Sequence, residues 1–330
     1  MYHQIRIREE DKQAQRFLFR EIPADAPQVD VATFGSACSS SSAQFMKNLN
    51  ADQYAEEFPE AAAAIKERHY VDDYYDTVDT VEEAIRRANE VKFIHSKGGF
   101  NIRNWVSNSK KVLDAMGERS VKTSVHFNQE KSAFYERVLG IVWEPDQDVF
   151  CFAVASKPEF RNVLVGERRP TKRIVLSVVM AQFGPVGFLG PITILGKILV
   201  QDLWRTGCEW DEMIDELAFQ RWLRWINILG DAKHFKLPRC YFGNARWDEI
   251  EEIQLQIFAD ASDKAYGCVA YFRAIFRGEV VVALVMSRSK VAPLKMLSIP
   301  RLELESCVLA ARMSQAIHDN HSFPISKTFF

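Results

Sequence analysis

The sequence has few cysteines and almost no net charge. Its six cysteines are widely scattered, with no Cys-x-x-Cys pair and no histidine at zinc-knuckle spacing. We therefore expect reduced thiols in an intracellular protein, and neither a disulfide framework nor a structural zinc site. With 42 Lys and Arg residues against 44 Asp and Glu residues, the formal net charge of −2 gives no global sign of nucleic-acid affinity.

We also expect neither a secretory leader nor a membrane span. The charged residues Arg6, Arg8 and Glu9 lie near the start of the sequence, where a signal peptide would have its apolar segment. Residues 174–196 carry no charge and are numerous enough to cross a bilayer, but five glycine and proline residues break the run in its middle. The run therefore predicts two buried helices joined by a turn, and we expect no membrane partner.

The composition that remains is that of a globular protein. The chain of 330 residues is 47% hydrophobic and 26% charged, which leaves room for two or three domains. One local basic cluster, Arg168-Arg169 with Lys172-Arg173, offers contacts to phosphates, and a solvated surface is the alternative interpretation.

The most distinctive segment runs from His69 to Asp76 and holds two adjacent carboxylates, Asp72 and Asp73. Tyr70-Val71 and Tyr74-Tyr75 predict two short strands, with both aspartates at the tight turn between them. Neighbouring carboxylates repel each other unless a cation lies between them. Mg²⁺ prefers such oxygen ligands, and a pair of these ions serves phosphoryl transfer. A solvated hairpin turn is the alternative.

Together with its neighbours, this segment resembles the reverse transcriptase palm of long-terminal-repeat retrotransposons, most closely the BEL/Pao group. Tyr70-Val71-Asp72-Asp73 matches that family's metal-binding hairpin, and residues 33–45 match its Phe-Gly motif with the following helix. The resemblance implies that Asp72 and Asp73 are catalytic metal ligands. It implies substrate-binding roles for Tyr2, Phe34, Gly35, Gln44 and Tyr70. Without a Cβ atom, Gly35 lets the backbone approach a base or sugar closely.

The first residues resemble the end of the family's first palm motif. Tyr2 matches the aromatic residue that screens the sugar 2′-position, and ordinary packing of a terminal aromatic residue is the alternative. The family's catalytic Asp would then precede Met1, as would the fingers region. We therefore expect a truncated polymerase fragment that is weak or inactive as an isolated chain.

The residues after the hairpin predict a capped helix followed by strands. Thr80 and Glu83 form a capping box, and Gly98-Gly99 ends the helix. Its apolar stripe is Val81, Ala84, Ile85, Ala88, Val91 and Ile94. The segments 100–105 and 139–143 then predict strands and resemble later parts of the same palm.

Beyond about residue 150, the sequence resembles the thumb and connection region of these elements, a part also named the Pao retrotransposon peptidase. The resemblance rests on segments 170–173, 183–187 and 197–204. An aspartic peptidase needs Asp-Thr-Gly or Asp-Ser-Gly, and neither tripeptide occurs in the chain. The tryptophans of this region, Trp204, Trp210, Trp222 and Trp225, are expected to anchor a helical core.

The last third predicts three strands followed by a helix. The alternating Ile253, Leu255 and Ile257 lead to Asp260, two more strand-like runs follow, and a helix opens at Pro300. This order resembles the start of ribonuclease H. The resemblance implies that Asp260 and Glu303 are catalytic Mg²⁺ ligands, with Glu305 as the rival carboxylate. We expect this site, too, to be cut short at the end of the chain.

The sequence therefore predicts an α+β protein with three parts. These are a reverse transcriptase palm-like sheet with helices (1–150), a mainly helical thumb or connection (151–250) and a partial ribonuclease H-like α/β domain (251–330). The implied cofactor is Mg²⁺ or Mn²⁺, and the implied partners are RNA template, DNA primer, RNA/DNA hybrid and deoxynucleoside triphosphates. The implied location is a cytoplasmic retrotransposon particle.

Two other functions stay open at this point. One is a host-adopted, non-catalytic nucleic-acid-binding or scaffold protein, and the other is the peptidase that the regional name suggests. The favoured function is two-metal nucleotidyl transfer and RNA-strand hydrolysis by the full-length polyprotein.

Overall fold

A computed structural model describes residues 5, 6, 8, 10, 38–117, 137–138, 141–152, 154, 157–182, 184, 186–243, 245 and 247–330. The chain divides into two compact units, Met1–Val121 and Lys122–Phe330, and each is described by itself. Both contain helices and strands, which agrees with the predicted α+β class.

The described part of the first unit is mainly helical. Its elements are α1 (Ser39–Asp52), α2 (Pro59–Glu67), β1 (His69–Tyr70), β2 (Asp73–Tyr74), α3 (Val81–Lys97) and α4 (Lys110–Met116). The three longest helices share a core that includes Ala51, Ile65 and Val91, and Tyr74 of β2 packs against it. The short hairpin is therefore attached to a helical layer through its second strand.

Helix α3 forms as the sequence predicts. The backbone N–H of Glu83 donates to the Thr80 hydroxyl at 3.2 Å, which caps the first turn. The helix ends before Gly98, and Gly99 has a positive φ of 73° that a glycine adopts without strain. Val91 and Ile94 of the predicted apolar stripe are fully buried. The N-terminal cap and the stripe are both confirmed.

The predicted strand at residues 100–105 is wrong. This segment has no regular secondary structure, and Asn104 has a positive φ of 59° that interrupts an extended backbone. Phe100, Ile102 and Trp105 pack into three different apolar clusters. The apolar spacing that predicted a strand therefore reflects separate anchor points of a loop.

The second unit begins, in its described part, with a small antiparallel sheet and a group of helices. Its elements are β3 (Arg137–Val138), β4 (Ile141–Glu144), β5 (Val149–Phe152), α5 (Arg161–Leu164), α6 (Lys172–Ala181), α7 (Gly190–Arg205), α8 (Glu216–Asp231) and β6 (Lys236–Pro238). The sheet order is β3-β4-β5-β6. The strand predicted at 139–143 is confirmed from Ile141 onwards, while residues 139 and 140 lie outside the described part.

Two of the four tryptophans in the helical region anchor its core. Trp222 and Trp225 are buried, and their indole N–H groups donate to the carbonyls of Val163 and Ile192. Trp204 and Trp210 are each 41% exposed instead. The prediction is therefore wrong for the second pair, whose rings lie near the ammonium group of Lys172.

The uncharged run forms two helices, as predicted. Its residues enter α6 and α7, which are separated by an irregular segment around Gly184 and Gly187. Val178 and Leu199 bury the facing sides of these helices in one core. Among the described residues, no helix is long and apolar enough to cross a membrane.

The last part of the chain forms a larger mixed sheet with one long helix. Its elements are β7 (Ile250–Ala261), β8 (Ala265–Phe276), β9 (Glu279–Val291), α9 (Ile299–Asn320) and β10 (Lys327–Phe329). The sheet order is β10-β7-β8-β9, with β7, β8 and β9 antiparallel in succession and β10 parallel to β7. The three predicted strands and the following helix are confirmed.

One face of this sheet packs against α9. Leu255, Ala270 and Phe272 are fully buried there, together with Leu309 and Met313 of the helix. The face of α9 that carries Leu304 is the outer one. Leu304 is 65% exposed.

An irregular loop covers the outer edge of β9. The Ser287 N–H donates to the Val186 carbonyl at 2.9 Å, and the Ser287 hydroxyl donates to the Gly187 carbonyl. A Cβ atom on Gly187 would lie 1.9 Å from the Ser287 carbonyl oxygen. Glycine is therefore required for this close approach, which satisfies backbone groups that an open edge would expose.

Candidate functional site

The aspartate pair lies on a two-residue hairpin in the first unit. His69 pairs with Tyr74 and Tyr70 with Asp73, so Val71 and Asp72 form the loop. The turn is therefore one residue earlier than predicted, because Asp73 begins β2 and Val71 leaves β1. Both aspartates are exposed, and the Tyr75 hydroxyl donates to Asp73 at 3.1 Å.

The backbone of the loop is unusual at Val71. Its φ is 56°, a left-handed conformation that a β-branched side chain rarely adopts. The Gln44 amide of α1 donates to the Val71 carbonyl at 2.6 Å. The Val71 side chain packs against a small cluster of Ile5, Ala43 and Phe100. The loop is thus held from its backbone and from its side chain.

Asp76, which follows the hairpin, ties both strands to the helices. Its carboxylate is only 13% exposed and forms ion pairs with Arg68 and Arg87. The Tyr74 hydroxyl donates to the same carboxylate at 2.7 Å. Burial, followed by this hydrogen bond to Asp76, raises the pKa of Tyr74. The network fixes the orientation of β2 relative to α3.

The Asp76 network was missed in the sequence, although one signal was available. Arg87 is 9% exposed and lies between Ala84 and Val91 at helical spacing. A charged residue inside an apolar stripe requires a buried partner. That requirement points to a carboxylate near α3, which the structure identifies as Asp76 together with Glu83.

Three basic side chains cluster at the base of the hairpin. Lys47 and His95 are each 1% exposed, and the Nε2 atoms of His69 and His95 lie 3.0 Å apart. The Lys47 ammonium donates to the Ile65 carbonyl. Burial, with the nearby Lys47 charge, lowers the pKa of His69 to about 3 and that of His95 to about 4. Burial also lowers the pKa of Lys47 to about 8.

The predicted substrate-binding residues are only partly visible. Tyr2, Phe34 and Gly35 lie outside the described residues. Tyr70 is 51% exposed on β1, beside the aspartates, and Gln44 contacts the hairpin loop itself. Among the predicted residues, the structure therefore brings together Gln44, Tyr70 and the two aspartates.

The second candidate site lies at one end of the large sheet. Asp260 is exposed near the end of β7, and its carboxylate accepts the backbone N–H of Ala261 at 2.8 Å. Glu303 is exposed in the second turn of α9. The rival Glu305 lies close enough to Tyr266 that its charge, after burial, raises the pKa of that tyrosine. Glu303 and Glu305 therefore have different surroundings.

A surface groove connects the neighbours of Asp260 and Glu303. Its volume is about 510 Å³, and its lining consists of Ile257, Phe258, Ala259, Cys307, Ala310, Ala311 and Phe330. Ala259 directly precedes Asp260, and Cys307 lies one turn after Glu303. Neither carboxylate lines the groove itself, which lies between residues that precede Asp260 on β7 and residues that follow Glu303 on α9.

The carboxylate ligands of both candidate sites are of the kind that a hard cation prefers, but each site has only two of them. Each candidate site offers two exposed carboxylates, and within the described residues neither Asp72 nor Glu303 forms an ion pair. No group of three or more His, Cys, Asp or Glu side chains that could hold a metal occurs in that part of the chain. Carboxylate oxygens suit Mg²⁺ or Mn²⁺, and waters would have to complete the coordination.

Comparison with known families agrees with this part of the fold. Residues 171–330 match the Pao retrotransposon-like RNaseH-like domain. The match supports a ribonuclease H-like domain of the Pao retrotransposon kind in this part of the chain. No curated protein matches the chain.

The RNaseH-like domain begins well before the large sheet. The matched residues include α6, α7 and α8, which the sequence analysis assigned to a thumb or connection with the peptidase name. In the structure, α7 contacts β9, and the Gln201 amide donates to the Ala292 carbonyl at 2.5 Å. The helices and the sheet of the RNaseH-like domain are therefore physically connected.

The basic cluster at the start of the RNaseH-like domain is largely neutralised. Arg169 pairs with Glu216, and Arg173 forms a two-point ion pair with Asp211 at 2.8 and 2.9 Å. Lys172 is buried. These partners reduce the capacity of the cluster for phosphate contacts. The exposed side chain of Arg168 remains for such contacts.

Proposed function

We propose that the chain is a Pol fragment whose RNaseH-like domain acts on the RNA strand of an RNA/DNA hybrid. The observation that carries this proposal is the mixed sheet β10-β7-β8-β9 with α9, inside a match to the RNaseH-like family. Asp260 lies near the end of β7, and Glu303 lies in the second turn of α9. We infer that this end faces the hybrid.

The proposed chemistry is metal-assisted hydrolysis. Asp260 and Glu303 would hold Mg²⁺ or Mn²⁺, which supplies an activated water and stabilises charge on the scissile phosphate. Glu305, whose charge after burial raises the pKa of Tyr266, remains the rival carboxylate that the test below must distinguish from Glu303. Recognition would rest on the shape of the hybrid and its 2′-hydroxyls, since such duplexes are read largely without base sequence.

We further propose that the hairpin of the first unit is a polymerase metal site. Asp72 and Asp73 would hold the ions that activate a primer hydroxyl and stabilise the leaving pyrophosphate. The substrate side would be formed by Tyr2, Phe34, Gly35, Gln44 and Tyr70. The support for this proposal is the exposed aspartate pair on a short hairpin. Gln44 holds the loop of this hairpin, and the ion pair of Arg68 with Asp76 holds its base.

The test of the RNaseH-like proposal is Mn²⁺-dependent cleavage and binding of a fluorescent RNA/DNA hybrid by the full chain. We expect the wild type to cleave weakly, and Asp260→Asn and Glu303→Gln each to abolish this metal-dependent cleavage. Glu305→Gln is the matched control and should retain activity. Equal losses in all three variants would contradict the assignment of Glu303.

Binding measurements on the same variants separate catalysis from a purely binding role. If the hybrid binds equally well to the wild type, Asp260→Asn and Glu303→Gln, and none of them cleaves it, the chain is a non-catalytic nucleic-acid-binding protein. Failure of every variant to bind the hybrid would reject both functions.

A further inference from the structure

The Asp72–Asp73 hairpin is built on a loop conformation that its sequence disfavours. In a two-residue hairpin, a positive φ at only the first central residue is the mark of a type II′ turn, where glycine is preferred. Here that residue is Val71, with φ of 56°. A β-branched residue in this region persists only when its surroundings hold it.

Helix α1 supplies what holds the loop. The Gln44 side chain donates to the Val71 carbonyl at 2.6 Å, across 27 residues of sequence. The neighbouring Ala43 is fully buried, and it packs in the cluster that receives the Val71 side chain. Two consecutive residues of α1 therefore contact the same loop residue: Gln44 contacts the backbone of Val71, and Ala43 packs near its side chain.

We propose that Gln44 is a positioning residue that fixes the Val71 peptide and, through it, the metal-binding geometry of Asp72 and Asp73. The proposal rests on the polymerase site proposed above and refines the role of Gln44 there. Asp72 is the second loop residue, so a relaxation of Val71 to negative φ would rotate the peptide that leads into Asp72. The position of the Asp72 carboxylate relative to that of Asp73 would then change.

The test measures Mn²⁺ affinity by electron paramagnetic resonance in the full chain with Asp260→Asn and Glu303→Gln, which removes the second site. In this background, Asp72→Asn should abolish the remaining specific Mn²⁺ binding. That loss would identify the hairpin as the site. Gln44→Met keeps the length of the side chain but removes the donor. We expect it to weaken Mn²⁺ binding about 10-fold, as loss of an orienting partner does in other metal sites.

Two further variants make the result specific. Asn50→Leu removes a similar bond from the same helix, the 2.8 Å contact from the Asn50 amide to the Ile94 carbonyl, and should leave Mn²⁺ affinity within about 2-fold. In a Val71→Gly background, the loop adopts positive φ without strain, so Gln44→Met should also change the affinity by less than about 2-fold. A merely structural role of Gln44 would give the same loss of affinity with and without the Val71→Gly substitution.

Hydrogen exchange of the hairpin amides separates the two possible failures. If Asp72→Asn has no effect on Mn²⁺ binding, the polymerase site is rejected, and the positioning role is rejected with it. If Asp72→Asn abolishes binding but Gln44→Met changes neither Mn²⁺ affinity nor hairpin exchange, the polymerase site stands and the role of Gln44 is wrong.

Discussion

At the scale of single residues, the largely covered carboxylate of Asp76 fixes a short exposed segment. The hairpin has only two paired residues on each side, so its own hydrogen bonds cannot make it stable. Asp76 compensates by joining Arg68, Tyr74 and Arg87 in one network. The orientation of the exposed aspartates thus depends on a carboxylate that does not itself face the site.

Asp76→Asn should destabilise the first unit by about 1–2 kcal/mol, because it removes one of the carboxylates that pair with the nearly buried Arg87 and leaves Glu83 as the close partner. The measurement is the opening free energy of α3 from hydrogen exchange. Asp52→Asn is the control, because the Asp52–Lys66 pair is 54% and 38% exposed and should contribute less than about 0.5 kcal/mol. Similar effects of the two substitutions would show that Asp76 is an ordinary surface charge.

Residue patterns predicted part of this arrangement. The Asp72-Asp73 doublet, the Thr80 cap and the end of α3 at Gly98 were visible, because each depends on residues that are close in sequence. The contacts of Gln44 with Val71 and of Arg87 with Asp76 were not, because they join residues that periodicity does not relate. The one-residue error in the turn arose because Val71 is a poor candidate for positive φ.

At the scale of elements, β9 and the loop before α7 form the most demanding junction. Gly187 has φ of 72°, and a Cβ atom there would overlap the Ser287 carbonyl. Sequence alone predicted the glycine-rich break between α6 and α7 but not its partner. The break was interpreted as a turn between helices, whereas it also covers a sheet edge about a hundred residues away.

Gly187→Ala should lower the free energy of unfolding of the second unit by about 3 kcal/mol or more, since backbone strain and a steric clash add. Gly207→Ala is the matched control, because Gly207 has the same φ of 72° with nothing within 4 Å. Its cost should be about 1 kcal/mol from strain alone. Denaturant unfolding followed by circular dichroism measures both values. Equal costs would mean that the loop does not lie against β9.

The succession of strands and helix in the large sheet was easier to predict than the side of α9 that is buried. Alternation along β7 and the helix opening at Pro300 predicted the elements of the large sheet. The buried side of α9 could not be predicted from the sequence, because Leu302 and Leu304 both fit helical spacing and only packing against the sheet selects Leu302. The parallel return of β10 beside β7 likewise follows from three-dimensional packing.

At the scale of the whole molecule, the chain combines two units with different chemical character. The first unit buries Lys47 beside the imidazoles of His69 and His95, and the Nδ1 atom of His95 has no hydrogen-bond partner in the described structure. Burial and the Lys47 charge hold the pKa of both imidazoles below the usual value near 6.5. The stability of this unit should therefore depend on pH.

The sign of this dependence follows from proton binding. In the unfolded chain His95 titrates near 6.5, whereas in the folded unit its pKa is about 4, so the unfolded state binds more protons between these values. Stability should fall as the pH falls through this window, by about 1.5–2 kcal/mol between pH 7 and 5 from His95. His69, which is half-buried, adds a contribution of the same sign.

Hydrogen exchange of α3 at pH 7 and pH 5, corrected for the intrinsic exchange rate, measures this change. His95→Phe should reduce the pH dependence, because the phenyl ring fills the space and cannot titrate. A wild-type stability that is constant or rises towards pH 5 would show that the imidazole pair is not buried in its neutral form.

The central claim is that Asp260 and Glu303 of the RNaseH-like domain share a divalent ion. The most direct measurement is anomalous diffraction from crystals of the chain soaked in Mn²⁺. We expect an anomalous peak within about 2.2 Å of a carboxylate oxygen from both Asp260 and Glu303, and no peak beside Glu305. An ion bound elsewhere on the domain, or carboxylates too far apart to share one, would contradict it.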